Sequence, residues 1–164
     1  MVKRKNIEKI KEKLPSRHEL FTDIYFLRAK EILEKNDINP FVRYQVFIRK
    51  GPGRIKGLEE AIAIIEKYRP EFYEHGGRVY SLEEGSVYNP LDTVMVLEGY
   101  VQDLIDLETM YLSAISGATT GQVDLREIEK EAKRIVEAAE DIPVVYFGAR
   151  HFDWRLDSII AEIC

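Results

Sequence analysis

Three side chains that can do chemistry follow one another closely near the end of the sequence: Arg150, His151 and Asp153. They come directly after the apolar run 144–147. An apolar run without alternation is typical of a strand buried on both faces, as in a parallel sheet. Polar groups just past the carboxyl end of such a strand lie where α/β folds place their chemistry. The sequence therefore predicts a candidate site at this point.

Helices are predicted on either side of this strand. Residues 100–117 form a long apolar pattern that Gly117 should end, and Asp124 should cap the next helix. Asp153 is expected to cap a last helix that continues almost to the end of the sequence.

A buried parallel strand needs parallel neighbours, each reached through a crossover of about a dozen residues or more. The sequence supplies one such strand, at 144–147, and one helix after it. Three explanations stay open. A second polypeptide completes the fold, the sequence is truncated, or the strand joins a sheet formed by residues 41–98.

The middle of the sequence predicts a mixture of helices and strands. Thr22 is expected to cap a helix that ends near Asn36, with Asp23 in its first turn, and a second helix covers 58–68. Alternating apolar residues and turn signals predict four strands: 42–48, 78–82, 86–88 and 93–98. Strands and helices without strict alternation indicate an α+β domain.

The first residues are polar and basic. This charge run is interpreted as a solvated, partly mobile lead-in, and the alternative is an arm that binds nucleic acid or another anion. His18 and His75 show no partner in the sequence and are predicted to lie on the surface.

Composition narrows the classes of protein. The 164 residues are 45% hydrophobic and 32% charged, which is typical of a globular chain. A formal net charge of -5 argues against nucleic acid as the main partner. Cys164 is the single cysteine, so a reducing cytoplasm is the expected compartment. No apolar run approaches the roughly 18 residues that a membrane span needs, so no membrane contact is expected.

Several stretches together resemble one known family. They are FTDIYFL at 21–27, EEGSVY at 83–88 with VLEG at 96–99, and YFGARH at 146–151, with LET at 107–109 and SGATTG at 116–121 between them. From about residue 20 onward, the sequence resembles the N-terminal part of nicotinate phosphoribosyltransferase. That enzyme is one of the type II phosphoribosyltransferases, which include the nicotinamide and quinolinate enzymes.

The resemblance implies a fold class: an α+β N-terminal domain followed by the first βα unit of an incomplete α/β barrel. The implied division is a basic lead-in (1–19), the α+β domain (20–99), connecting helices (100–142), and the first strand and helix of a truncated or split barrel (143–164). It also implies a head-to-tail dimer, a homo-oligomer with active sites shared between subunits. A second polypeptide that completes the barrel is a further expected partner, from the packing argument above.

The resemblance also implies a reaction. The ring nitrogen of nicotinate joins the anomeric carbon of phosphoribosyl pyrophosphate, and pyrophosphate leaves, in the biosynthesis or salvage of NAD. Magnesium is the implied cofactor. ATP is a second one in members that couple the reaction to a phosphorylated histidine.

Two aromatic residues match the family's motifs for holding the base. Phe147 would stack on one face of the pyridine ring, and Tyr25, from a neighbouring subunit, would stack on the other. Holding the ring in this way aligns its nitrogen for attack. The alternative is that both aromatic residues belong to the core.

Three polar residues complete the candidate site. Arg150 would bind the phosphate of the phosphoribosyl group, which suits a planar fork of donors, or would form a salt bridge to Asp153 or Asp157. His151 would donate to phosphate or cap local backbone. Asp23 would orient a ligand or cap a helix.

The family's phosphorylated histidine and acidic residues for the ribose and metal have no counterpart here, so no catalytic residue is assigned and no transferase activity is expected from this chain alone. Four interpretations stay open. They are a subunit or N-terminal fragment of a nicotinate phosphoribosyltransferase, a fragment of a nicotinamide or quinolinate enzyme, a non-catalytic assembly or regulatory subunit, and an unrelated α+β binding domain.

Overall fold

A computed structural model describes residues 4–121 and 123–164. The helices of these ranges are α1 (Arg4–Lys13), α2 (Ile24–Lys35), α3 (Leu58–Tyr68), α4 (Val101–Leu104), α5 (Glu108–Thr120), α6 (Leu125–Ala139) and α7 (Trp154–Ile163). The strands are β1 (Phe41–Phe47), β2 (Gly53–Arg54), β3 (Arg78–Ser81), β4 (Val87–Tyr88) and β5 (Thr93–Tyr100). Short 3₁₀ turns cover Glu19–Phe21 and Ile105–Leu107.

The sheet is antiparallel, and its strand order is β1-β5-β3. Leu97 of β5 lies between Tyr44 of β1 and Val79 of β3. Because side chains alternate along a strand, Val42, Tyr44 and Val46 of β1 turn to one face, and Val46 is buried there. Strands β2 and β4 form a separate two-stranded ribbon. The four strands predicted between residues 42 and 98 are confirmed as β1, β3, β4 and β5, whereas β2 was not predicted.

The main core lies between the sheet and two helices, α3 and α5. Ala61, Ile64 and Ile65 of α3 are fully buried, as is Met110 of α5. The helices pack closely where α3 begins, because Gly57 has a φ of +83° and a side chain there would collide with the backbone of α5 at Ala114. This arrangement is the predicted α+β domain.

The predicted helix 100–117 is wrong in two respects. The chain passes from α4 through the 3₁₀ turn Ile105–Leu107 before α5 starts. Gly117 does not end α5, which continues to Thr120. Its missing side chain serves packing instead, because a Cβ at Gly117 would lie 2.6 Å from the backbone nitrogen of Asp153.

The basic lead-in is not solvated along its length. Ile7 and Leu14 are 3% and 4% exposed and belong to the main core. The ammonium of Lys67 on α3 donates to the carbonyl oxygens of Lys11 at 2.9 Å and Leu14 at 2.7 Å. The sequence interpretation failed because two apolar residues among many charges suffice to dock a short helix.

The buried strand predicted at 144–147 is wrong. The segment 143–148 forms no strand, and Phe147 is 88% exposed and Val145 77% exposed. It does not join the sheet of β1, β5 and β3. A strand exists only where a neighbour exchanges backbone hydrogen bonds with it, and no described residue does so here. The incomplete barrel and the domain boundaries stay predictions.

Helix α7 links this segment to the rest of the molecule. Trp154 at its start is buried in the main core and stacks edge-on against Phe21, with ring centroids 4.8 Å apart. Leu156 and Ile160 form a second, smaller core with Ala132 of α6. None of the described helices is both long and apolar enough to cross a membrane.

Candidate functional site

The candidate site is built around a turn that presents Arg150. The backbone of this residue has a φ of +73°, in the left-handed region that residues other than glycine seldom adopt. Its N–H donates to the hydroxyl of Ser113 at 3.2 Å and to the carboxylate of Asp157 at 3.3 Å. One residue on, the N–H of His151 donates to the carbonyl of Gly148 at 3.1 Å. The turn is therefore held from α5 and from α7.

Asp157 lies beneath this turn and is 6% exposed. The hydroxyl of Tyr146 donates to its Oδ1 at 2.5 Å, and the hydroxyl of Ser113 lies 3.4 Å from its Oδ2. Burial raises the pKa of Asp157, and the hydrogen bonds from Tyr146, the Arg150 backbone and Ser113 oppose that rise. All of these donors are neutral groups.

The guanidinium of Arg150 pairs with Glu108, at the start of α5. Its Nη1 lies 3.1 Å from Oε1 of Glu108, and the two side chains are 31% and 26% exposed. The predicted alternative partners, Asp153 and Asp157, do not form this ion pair. Burial raises the pKa of Glu108, and the charge of Arg150 opposes the rise. The pair is open enough for a ligand to reach.

Two aromatic rings of α2 lie beside the same guanidinium. Its central carbon is 5.8 Å from the centroid of Tyr25 and 5.5 Å from that of Phe26. These distances allow a favourable interaction between the cation and the rings. Tyr25 is 44% exposed, so it is not a core residue. Burial raises the pKa of its phenol, and Arg150 opposes that effect. Within one chain, the fold thus brings together two predicted site residues, Tyr25 and Arg150.

Asp23 occupies the N-cap position of α2, yet its side chain makes no capping hydrogen bond. It binds α5 instead. The hydroxyl of Thr109 donates to Oδ2 of Asp23 at 3.1 Å and accepts the N–H of Asp23 at 3.1 Å. The predicted cap, Thr22, is also wrong, because its hydroxyl lies 3.0 Å from the carbonyl oxygen of His18 and 2.9 Å from that of Asp106. Both residues tie α2 to the chain around the start of α5.

His151 and Phe147 contribute less than the other predicted residues. Nδ1 of His151 is 3.0 Å from the carbonyl oxygen of Gly148, as expected for local backbone capping. The hydroxyl of Ser116 donates to the carbonyl of His151 at 2.9 Å. Phe147 projects into solvent at 88% exposure. The stacking of Phe147 on a base stays a prediction.

Sequence reasoning assigned no role to Glu108 or Ser113, and it named Asp157 only as an alternative ion-pair partner of Arg150. A signal was available in α5, where Glu108 and Ser113 interrupt a long apolar helix. A buried polar residue needs a hydrogen-bond partner, so such positions predict polar contacts with another element. Asp157 gave no comparable signal, because an acidic residue in the first turn of a helix is common.

A second polar cluster surrounds Asp106 and corrects the prediction for His18. Asp106 is 2% exposed and His18 is 7% exposed. The carboxylate accepts from Nη2 of Arg69 at 2.5 Å and from the ammonium of Lys30 at 3.0 Å, and Nε2 of His18 lies 2.8 Å away. His75 also has a partner, because its Nδ1 is 3.3 Å from a carboxylate oxygen of Asp103.

Burial strongly disfavours the charged form of Asp106. The hydrogen bond from His18 and the charges of Arg69 and Lys30 outweigh it and lower the pKa of Asp106 below its usual range. The cluster joins the lead-in, α2 and α3 to the 3₁₀ turn before α5. Because the 3₁₀ turn Ile105–Leu107 directly precedes Glu108, the cluster also helps to fix the start of α5 at the candidate site.

A groove of about 750 Å³ opens elsewhere, between the end of α5 and helix α7. Lys56, Phe152 and Arg155 are among its lining residues, whereas Arg150 and Tyr25 are not. Volume alone does not identify a binding site, so the candidate site is placed where charged and aromatic groups converge.

A comparison with protein-family models identifies the family of this chain. The model of the quinolinate phosphoribosyl transferase N-terminal domain matches residues 23–119, more than half of the 164-residue chain. The chain belongs to this family. The match includes α2 with Asp23 and Tyr25, the whole sheet, and α5 with Glu108. The predicted resemblance to type II phosphoribosyltransferases is confirmed at the level of the quinolinate family, and the nicotinate enzyme is not singled out.

Three solved structures resemble this member of the quinolinate phosphoribosyl transferase N-terminal domain family. Nicotinate-nucleotide pyrophosphorylase from Pyrococcus furiosus is 28% identical over 98% of this chain and 39% of its own, with a TM-score of 0.48. NadC from Streptococcus pyogenes is 18% identical over 73% and 42%, with a TM-score of 0.43. Nicotinate-nucleotide pyrophosphorylase from Francisella tularensis is 11% identical over 77% and 43%, with a TM-score of 0.40.

The chain thus spans about two fifths of the length of these solved relatives. The comparison with curated proteins gave no match. The family membership shows an N-terminal domain of the type found in a phosphoribosyltransferase of NAD biosynthesis.

Proposed function

We propose that this chain supplies the N-terminal domain of a phosphoribosyltransferase that joins a pyridine carboxylate to phosphoribosyl pyrophosphate. The observation that carries the proposal is the Arg150–Glu108 ion pair beside the rings of Tyr25 and Phe26. Both substrates are anions with several oxygens, and one of them is a flat ring. A fixed guanidinium next to aromatic faces matches both features.

The role of Arg150 is to bind an oxyanion of the substrates. A guanidinium binds planar oxyanions through paired N–H donors, and it does so best when it is already oriented. Glu108 orients the guanidinium from one side, and the turn beneath it fixes the backbone. Partial burial strengthens each contact with an anion relative to open water.

Quinolinate is the proposed base, because the matching family model carries that name. Nicotinate is the second candidate, supported by the motifs at 21–27 and 146–151. The two bases differ by one carboxylate on the ring, so a binding experiment with both separates them.

Magnesium, ATP, the oligomer, a companion polypeptide and the cytoplasmic location stay predictions. Within 4–121 and 123–164, no group of three or more histidine, cysteine or acidic side chains is arranged to hold a metal ion. No magnesium ligands are therefore assigned among the described residues, and no step is assigned to the metal in this chain.

Binding is the direct test of the role proposed for Arg150. Calorimetric titration of the chain with phosphoribosyl pyrophosphate, quinolinate, nicotinate and nicotinamide should show binding of the anionic compounds in preference to nicotinamide. Arg150→Ala should weaken the binding of phosphoribosyl pyrophosphate on the order of 10- to 100-fold, the scale of a charge-assisted hydrogen bond.

Arg134→Ala is the matched control. It removes the same charge from an exposed pair with Glu131 on α6, and it should leave the affinity unchanged. Equal losses in the two variants would mean that only net charge matters, and this would contradict the proposed site. Catalysis is tested with labelled base, phosphoribosyl pyrophosphate and magnesium, using the chain alone and with any companion polypeptide. An absence of pyridine nucleotide in both assays would contradict the proposed function.

A further inference from the structure

The described part of the chain contains two buried aspartates, and only one of them has cationic partners. Asp106 contacts Arg69 and Lys30, whereas Asp157 is 6% exposed and accepts hydrogen bonds from Tyr146, Ser113 and the backbone of Arg150. Burying a carboxylate without a cation is costly. The position of Asp157 in the fold therefore calls for an explanation.

The donors to Asp157 share one location. Tyr146 and Arg150 are the two ends of the segment 146–150, which leads into the turn closed by the His151 N–H on the Gly148 carbonyl, and Ser113 is the residue of α5 against which this segment rests. A single carboxylate thus accepts hydrogen bonds from both ends of the segment 146–150 and from Ser113, the α5 residue on which it rests. Its own helix, α7, is anchored to the main core by Trp154.

We propose that Asp157 is a positioning residue for Arg150. By accepting hydrogen bonds from both ends of the segment 146–150, it keeps the guanidinium of Arg150 beside Glu108 and Tyr25. The inference rests on the proposed function only in giving Arg150 a ligand. The holding of the turn is a property of the fold itself.

Backbone geometry shows why Arg150 needs such a residue. A φ of +73° is unfavourable for a side chain with a Cβ, so a free segment would leave this conformation. The N–H of Arg150 has two acceptors there, Ser113 and Asp157, and both are buried. Opening the turn would leave the buried carboxylate with Ser113 as its one remaining donor among those described, which opposes the relaxation.

A carboxylate fits this position better than an amide. Asp157 uses Oδ1 for Tyr146 and Oδ2 for Arg150 and Ser113. An asparagine has only one acceptor oxygen, and its NH₂ group would face a donor on one side. The backbone N–H of Arg150 cannot turn around to accept, whereas a hydroxyl can. An amide can meet both ends only with its oxygen toward Arg150 and its NH₂ toward the Tyr146 hydroxyl, and these neutral hydrogen bonds are weaker than those made to a carboxylate.

A double-mutant cycle tests whether Asp157 acts through Arg150. Asp157→Asn should weaken the binding of phosphoribosyl pyrophosphate roughly tenfold, the scale of one hydrogen bond to a charged group. In the Arg150→Ala background, Asp157→Asn should cause no further loss. Asp141→Asn is the control, because it neutralises an exposed aspartate just before the segment and should change nothing. Equal losses from Asp157→Asn in both backgrounds would overturn the positioning role.

Amide hydrogen exchange provides a readout that does not depend on any ligand. The N–H of Arg150 should exchange slowly in the wild type and at least tenfold faster in Asp157→Asn, while amides of β5 such as that of Leu97 keep their protection. Tyr146→Phe, a milder variant, should give a smaller change in the same direction. Unchanged exchange at Arg150 in both variants would overturn the inference. If Arg150→Ala leaves ligand binding intact while the Arg150 amide responds as expected, the role assigned to Arg150 under the proposed function fails and the positioning role stands.

Discussion

Asp106 and Asp157 are nearly equal in exposure, at 2% and 6%, but they lie in opposite environments. Asp106 faces two cations and an imidazole, which lower its pKa despite burial. Asp157 faces only neutral donors, and burial raises its pKa. Burial alone therefore does not decide the charge of a carboxylate, because the partners decide whether the cost of desolvation is offset.

The two aspartates also join different parts of the molecule. Asp106 connects the lead-in, α2 and the end of α3 to the turn before α5. We therefore expect it to stabilise the whole domain. Asp157 fastens one surface turn, so its effect should be local and should appear at Arg150. This contrast predicts different losses when each carboxylate is removed.

The largest expected effect is that of Asp106→Ala. It leaves Arg69 and Lys30 partly buried without their carboxylate, and removing one partner of a buried ion pair costs about 3–5 kcal/mol. Urea unfolding followed by circular dichroism should show this loss in the free energy of unfolding. Glu131→Ala, which breaks an exposed pair on α6, should leave the midpoint unchanged. A loss in Asp106→Ala no larger than in this control would contradict the structural role of Asp106.

The dependence of stability on pH should have opposite signs for the two aspartates. The folded-state pKa of Asp106 is below its ordinary value of 3.8, so its stabilisation is fully present well above 3.8 and is lost as the pH falls from there through the lowered folded-state pKa. The folded-state pKa of Asp157 is above 3.8, so its contribution is present at low pH and is lost as the pH rises through the raised value.

The variants should separate these two contributions. Between about pH 5 and 3, Asp106→Asn should flatten the fall in unfolding free energy on acidification, and Asp157→Asn should make that fall steeper. Urea midpoints at several pH values measure both slopes. Slopes that change in the same direction in the two variants would refute the contrast between the environments.

The smallest expected effect is that of Tyr146→Phe. It removes one donor to Asp157 and leaves the ring in place, so the free energy of unfolding should fall by only about 0.5–1.5 kcal/mol. Thermal unfolding measures the change. A loss comparable to that of Asp106→Ala would show that the turn belongs to the cooperative core, and the division into a global and a local aspartate would then be wrong.

The sequence selected two residues that the structure brings together, but it missed the contacts that they make. Tyr25 and Arg150 were both selected, and the structure places them side by side. The partner of Arg150 was predicted among its sequence neighbours, yet it is Glu108, 42 residues earlier. Charge pairing over such a separation depends on how the helices pack, and residue spacing along the chain carries no record of that packing.

The strand predicted at 144–147 shows a second limit. Apolar composition indicates that a segment favours burial, but a strand also requires a hydrogen-bonding neighbour. No described residue supplies one, and Phe147 and Val145 stay exposed. The same limit explains the error for His18, whose acceptor, Asp106, is 88 residues away in the sequence.

Local sequence patterns were sufficient for several elements of this chain. The alternation in β1 and the aspartate caps of α6 and α7 act over a few residues, so a local pattern is sufficient to predict them. The contacts of the two buried aspartates, and the opposite directions of their pKa shifts, depend on the tertiary structure. Their partners come from elements far apart in the chain, and the packing of α5 against its neighbours brings those elements together.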